Sequence, residues 1–186
     1  VDLDGNKLSD DDFPINKAGF IIHSAIHQAR PKDLHCVMHS HEVNSQTLAA
    51  SKSKLIPLTQ EGCQLYERVG YHEFNGIVLN DEEKEKLINA IGNEKHTLLM
   101  RNHGLITAGP TAAWAFIRHQ HFIRNAEVQL KLMASNAEMS IISDNILKHT
   151  REQFEGGSAQ AGAKVRHPEW PAFWRLLDSL DQKWKQ

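Results

Sequence analysis

Residues 34–38 form a short, largely apolar run that passes without a break into His39-Ser40-His41. Side chains alternate faces along a strand, so residues two apart point the same way. If this segment is a strand, His39 and His41 project together. No other stretch constrains the chain as much, because the two histidines form a pair only in that one conformation.

The same His-x-His spacing recurs at His119 and His121, inside a long helical pattern. There the two side chains diverge by about 200° around the axis, so they share no site. His103 is the natural third partner for the first pair. It lies in an Asn102-His103-Gly104 turn between two strand candidates, where Gly104 admits an unusual backbone angle. Three imidazoles with a fourth position open make a catalytic type of metal geometry. Neutral imidazole suits zinc, nickel, copper or iron, so the spacing does not name the metal. The pair reads equally well as two hydrogen-bonding polar residues.

Around these positions short strands and helices intermix, which predicts an α/β sandwich around one sheet. The patterns place a strand and turn in residues 1–14 and a helix over 17–29, ended by Arg30-Pro31. A short helix follows over 44–50, then a strand at 55–58, a helix over 61–69 and a strand at 76–79. The segment Asp81–Ile91 has an acidic first turn and stops at Gly92, as a helix does. Strands are expected over 97–100 and from 104 to 107. The longest helix runs from Thr111 to about residue 135, with Trp114, Ile117, Phe122, Val128 and Leu132 buried. A further helix over 140–153 closes a metal-binding domain at residues 1–154. Residues 155–186 then comprise a small, polar, flexible link (155–164) and a helix with Trp170, Phe173, Trp174, Leu177 and Leu180 on one apolar face.

With 40% hydrophobic and 24% charged residues and a formal net charge of −2, the 186 residues suit a globular domain without a basic field for nucleic acid. No apolar stretch approaches the roughly 18 residues of a spanning helix. Cys36 and Cys63 are too few for a disulfide framework, so a reducing, cytoplasmic setting is expected.

Through AGFIIHSAIHQARP, CVMHSH, GYHEFNGIVL and LLMRNHGLITAG, in that order, the chain resembles the class II aldolase and adducin family. The likeness is nearer to adducin head domains and their bacterial relatives than to sugar-phosphate aldolases. It implies a three-layer α/β/α sandwich around a mostly antiparallel central sheet, and frequently a homotetramer. It also implies that His39, His41 and His103 are zinc ligands. Where the sugar-phosphate aldolases carry Ser-Ser-Glu, this chain has Lys17, Ala18 and Gly19. The carboxylate base and a phosphate-binding hydroxyl pair are thus replaced. The family's phosphate loop would lie upstream of Val1, so the chain reads as trimmed, lacking the N-terminal part of the family domain. A phosphorylated sugar is not the expected substrate.

Proton transfer needs a second group beside a metal. Glu61 is the first candidate, because the resemblance implies that its region supplies the proton donor or acceptor, often at a neighbouring subunit's metal. It also reads as an acidic residue answering a helix dipole. His72 is expected to line the substrate pocket, and Arg101 and Asn102 to hold a substrate carboxylate or orient His103; each has an ordinary packing or turn role as well. Glu42 should face away from the pair. Two functions follow. One is a zinc-dependent lyase or isomerase, aldolase-like, acting on a small hydroxycarbonyl or hydroxy acid. The other is a non-catalytic, adducin-like binding module that retains a metal site. A purely structural zinc site would want four closed ligands, and no fourth is evident.

Overall fold

A computed structural model of the chain describes residues 1–79, 81–160 and 167–180. The first helix, α1 (Lys17–Ala29), is capped by Asn16, whose Oδ1 accepts the Gly19 N–H at 3.0 Å. Then come β1 (Cys36–Ser40), α2 (Val43–Ala50), a 3-10 helix at Glu61–Leu65 and β2 (Val69–His72). They are followed by α3 (Asp81–Ile91), β3 (Thr97–Met100), β4 (Gly104–Gly109), α4 (Ala112–Ser135), α5 (Asp144–Gln160) and α6 (Trp170–Leu180). Thr111 caps α4, and Asn136, in the left-handed region at φ 51°, ends it.

The four strands lie in the order β1-β4-β3-β2. β4 pairs antiparallel with both β1 and β3, whereas β2 pairs parallel with β3, so the sheet is mixed. Alternation along the strands divides the core in two. Leu98, Met100 and Ile106 pack on one face with Ile22 and Ile26 of α1 and Leu87 and Ile91 of α3. Leu99 and Leu105 pack on the other with Leu48 of α2 and Phe122 and Ala126 of α4. Each such side chain contributes roughly 1.5–3 kcal/mol by leaving water. The result is the expected α/β/α layering.

Several local expectations are corrected. Residues 1–14 hold a turn, closed by the Asp2 N–H on the Asn6 carbonyl at 3.0 Å, but no strand. Residues 55–58 are extended without being a strand. Their backbone is held by side chains of α4: Ile56 N–H donates to Gln129 Oε1 and Leu58 N–H to Asn125 Oδ1, both at 2.9 Å. Only Glu61–Leu65 of the expected 61–69 helix winds up, as a 3-10 turn, and the chain then enters the sheet as β2. Residues 76–79 bend, with Gly76 at φ +99°. On α4, Val128 is 36% exposed; the buried places beyond Phe122 go to Asn125, Ala126 and Gln129. Helix α5 runs to Gln160, past the start of the expected link, and Glu155 is tied to Arg68 at 2.9 Å. Residues 161–164 lie outside the described residues. Helix α6 folds back on its own domain, with Trp170 and Phe173 stacked edge-on against Phe116 at 5.5 and 5.0 Å. Among the described residues, no helix is long and apolar enough to cross a membrane.

Candidate metal centre

His39 and His41 leave the end of β1 on one face of the sheet, and His103 meets them from the turn between β3 and β4. The three ring centroids stand 4.8, 4.9 and 4.8 Å apart. One nitrogen from each falls within 4.8 Å of the other two. The Nε2 atoms of His39 and His41 are 3.0 Å apart, near the ligand–ligand edge of about 3.3 Å that tetrahedral zinc–nitrogen bonds require.

Backbone contacts pre-set the donors. His39 Nδ1 lies 3.0 Å from the Leu105 carbonyl oxygen. A carbonyl can only accept, so Nδ1 carries the proton and Nε2 keeps its lone pair for a ligand. Burial pushes the His39 pKa down to about 4, partly opposed by that hydrogen bond and assisted by His103 and His41. Burial lowers the pKa of His103 as well. Neutral imidazoles are the form a metal needs.

Gly104 matters for space. A Cβ there would stand 2.4 Å from the Ser40 carbonyl oxygen and 2.9 Å from His41 Cδ2. The unusual backbone angle expected at Gly104 belongs instead to Asn102, at φ 54°; asparagine tolerates the left-handed region. The Gln46 amide donates to the His103 carbonyl at 3.1 Å and steadies the turn. The residues present therefore fit a metal ion: three converging nitrogens, one tautomer fixed, and a glycine keeping the approach clear.

A cavity of about 280 Å³ opens onto the triad; Ala18, Gly19, Ile22, Phe74 and Val78 are among the residues that line it. Gly19, which the resemblance matches to a carboxylate of the sugar-phosphate aldolases, lines this cavity.

The other expected residues lie outside this lining. The Arg101 guanidinium holds the Ser51 and Ser53 carbonyls at 3.0 and 2.9 Å and covers the Tyr71 ring at 4.9 Å. Asn102 donates its N–H to the Ala49 carbonyl at 3.2 Å. His72 is buried, its Nε2 3.2 Å from Glu83 Oε2. Burial lowers its pKa, and Glu83 opposes that only in part; a charge on His72 would in turn disfavour one on His103. Glu61 starts the 3-10 turn, whose position is locked from α4: a Cβ on Gly62 would meet Asn125 Oδ1 at 2.1 Å. Glu42, as expected, turns away and caps α2 through the Ser45 N–H at 3.0 Å.

The sequence reading missed a support behind the triad. Ser40, between the two histidines, points through the sheet to His119, which also contacts Thr107. His119 and His121 do diverge, and His121 instead contacts Gln64 at 2.9 Å. No spacing singled out His119, but His121, Asn125 and Gln129 recur at helical period as a polar stripe of α4 that is buried.

The family model of the class II aldolase and adducin N-terminal domain matches residues 1–130. The chain belongs to that family. A Pseudomonas aeruginosa protein provisionally named as a class 2 aldolase is 34% identical over 186 residues, which span 100% of this chain and 71% of that one. Rat (Rattus norvegicus) alpha-adducin is 31% identical over 174 residues, spanning 89% of this chain but 23% of its own. Among solved structures, an aldolase II superfamily protein from Pseudomonas syringae aligns with a TM-score of 0.76 and 32% identity, covering 92% of this chain and 70% of that one.

Proposed function

We propose that this chain is a zinc-dependent lyase or isomerase that acts on a small hydroxycarbonyl or hydroxy acid. The observation that carries the reading is the convergence of His39, His41 and His103 beside an accessible cavity. A bound divalent ion supplies Lewis acidity toward a substrate carbonyl or hydroxyl oxygen. The chain's own residues do the rest. Leu105, through His39 Nδ1, orients the first ligand; the Ile22–Val78 side of the cavity excludes water; a carboxylate moves the proton.

We assign that proton to Glu61. It lies outside the cavity of its own chain, so the assignment requires a neighbouring subunit, and a homotetramer is the assembly proposed. Asn125 accepts the Leu58 and Thr59 N–H groups and packs against Gly62, and a turn held in this way suits a group that must reach a fixed point across an interface. His72, buried against Glu83 and outside the cavity lining, supports the site from behind, as Arg101 and Asn102 do by shaping the neighbouring loops.

A second reading, an adducin-like binding module that keeps the metal site without turnover, is favoured by one feature: Gly19 leaves the cavity without the carboxylate of the sugar-phosphate aldolases. One experiment separates the two. Zinc-loaded protein is offered dihydroxyacetone and glycolaldehyde in deuterated water, and exchange of the carbon-bound proton beside the carbonyl is followed by NMR. Exchange that disappears in His41→Ala supports the enzyme. Its absence from the parent protein across a broad panel favours the binding module.

A further inference from the structure

The cavity beside the three imidazoles is apolar where a sugar phosphate would need charge. Ile22 and Val78, 2% and 3% exposed, form its buried side, and Phe74 and Ile77, 53% and 75% exposed, stand at its mouth. Ala18 adds a methyl group. Apart from the histidines, the one polar side chain among the described lining is Asn16, and its Oδ1 is taken by the Gly19 N–H. The start of α1 also borders the cavity, through Ala18 and Gly19. There the Gly19 N–H is bound to the Asn16 side chain and the Phe20 N–H to the Asn16 carbonyl at 2.9 Å. Among the described lining residues a phosphate monoester would meet no Lys or Arg side chain and one neutral amide, that of Asn16, so it would shed its hydration for little return.

We propose that the substrate carries an alkyl or aryl substituent, not a phosphate, beyond its hydroxycarbonyl or hydroxy-acid head. This rests on the metal-dependent reading above and specifies its substrate class. The head meets the imidazole side; the substituent lies against Ile22 and Val78 and is covered by Phe74. At about 280 Å³ the cavity falls just below the range of about 300–1,000 Å³ common for drug-sized ligands. A few carbons or one ring fill it. Each methylene buried is worth roughly fourfold in affinity.

The test uses the zinc-loaded chain and a graded set of ketols: dihydroxyacetone, hydroxyacetone, 1-hydroxybutan-2-one, 1-hydroxypentan-2-one, 2-hydroxyacetophenone and dihydroxyacetone phosphate. In deuterated water the hydrogen on the carbinol carbon leaves as a proton and a solvent deuteron replaces it, with no net oxidation. Exchange efficiency should rise about fourfold per added methylene, and the phosphate ester should fall at least about tenfold below dihydroxyacetone. Phe74→Ala, at an exposed position, should flatten the alkyl series. Saturation-transfer NMR gives a second readout without turnover, with the strongest transfer expected on the alkyl or ring protons. A flat series, or preference for the phosphate ester, overturns the inference. If no ketol exchanges but the alkyl ketols bind and the phosphate ester does not, the enzymatic reading falls and the apolar site stands. If none exchanges and none binds, both fall.

Discussion

The hydroxyl of Ser40 lies 2.6 Å from Nε2 of His119, so the residue between the paired histidines is tied through the sheet to the longest helix. The direction of each bond follows from the next. Thr107 Oγ1 donates to the Ala115 carbonyl at 2.8 Å, which leaves it to accept from His119 Nδ1 at 3.0 Å. His119 therefore presents a lone pair at Nε2, and Ser40 must donate. Burial, pushing the His119 pKa to about 4, keeps that ring neutral.

His119→Ala removes the partner of both hydroxyls. The expected loss of stability is about 1–3 kcal/mol, from buried polar groups left unsatisfied. Metal affinity should fall about 10- to 100-fold, as for other groups that orient ligands from behind. His121→Ala, whose partners lie elsewhere, should leave metal affinity near the parent value. Chelator competition on both variants decides it; equal affinities in parent and His119→Ala would remove the support role.

Gly104→Ala places a Cβ against the Ser40 backbone oxygen, which cannot rotate away. Overpacking of this kind costs about 1–3 kcal/mol. Because the crowded atoms belong to the histidine strand, zinc content should drop together with the melting temperature. A variant that melts lower yet keeps one zinc per chain would contradict the proposed geometry.

Glu61→Gln preserves shape and should preserve metal, because among the described residues the Glu61 carboxylate holds no hydrogen bond of the fold. A proton-carrying group contributes about 10²–10⁴ in rate, so ketol exchange should fall by that factor. Light scattering on the same sample should give a tetramer. A monomer would leave Glu61 out of reach of any triad.

Acid should destabilise the metal-free protein in a defined window. His119 and His167 are both buried, and burial pushes each pKa from 6.5 to about 4. Between those values the unfolded chain binds more protons than the folded one, so stability rises with pH. Their contribution is complete above about pH 6.5 and is lost as the pH falls toward 4. Melting temperatures across that interval should decline, and His167→Phe, which keeps a ring beside Trp114, should show a shallower decline.

Strand parity is local, so the pairing of His39 with His41 was legible in the sequence, whereas His103 joins them only through the turn between β3 and β4. A period of two places His39 and His41 together whatever surrounds them, and a period of 3.6 parts His119 from His121 just as surely. The stop of α3 at Gly92, the start of α4 at Thr111, and the apolar strands expected at 97–100 and 104–107 were legible for the same reason. Tertiary structure alone decided the rest. β2 is four residues long and is a strand only because β3 lies beside it, in parallel. Residues 55–58 failed to become a strand because Asn125 and Gln129, some seventy residues on, took their backbone hydrogen bonds. The stripe of α4 bearing His121, Asn125 and Gln129 is polar in sequence and buried in space. Hydrophobic patterning assigns such residues to water, and only the partners that complete their hydrogen bonds bring them inside.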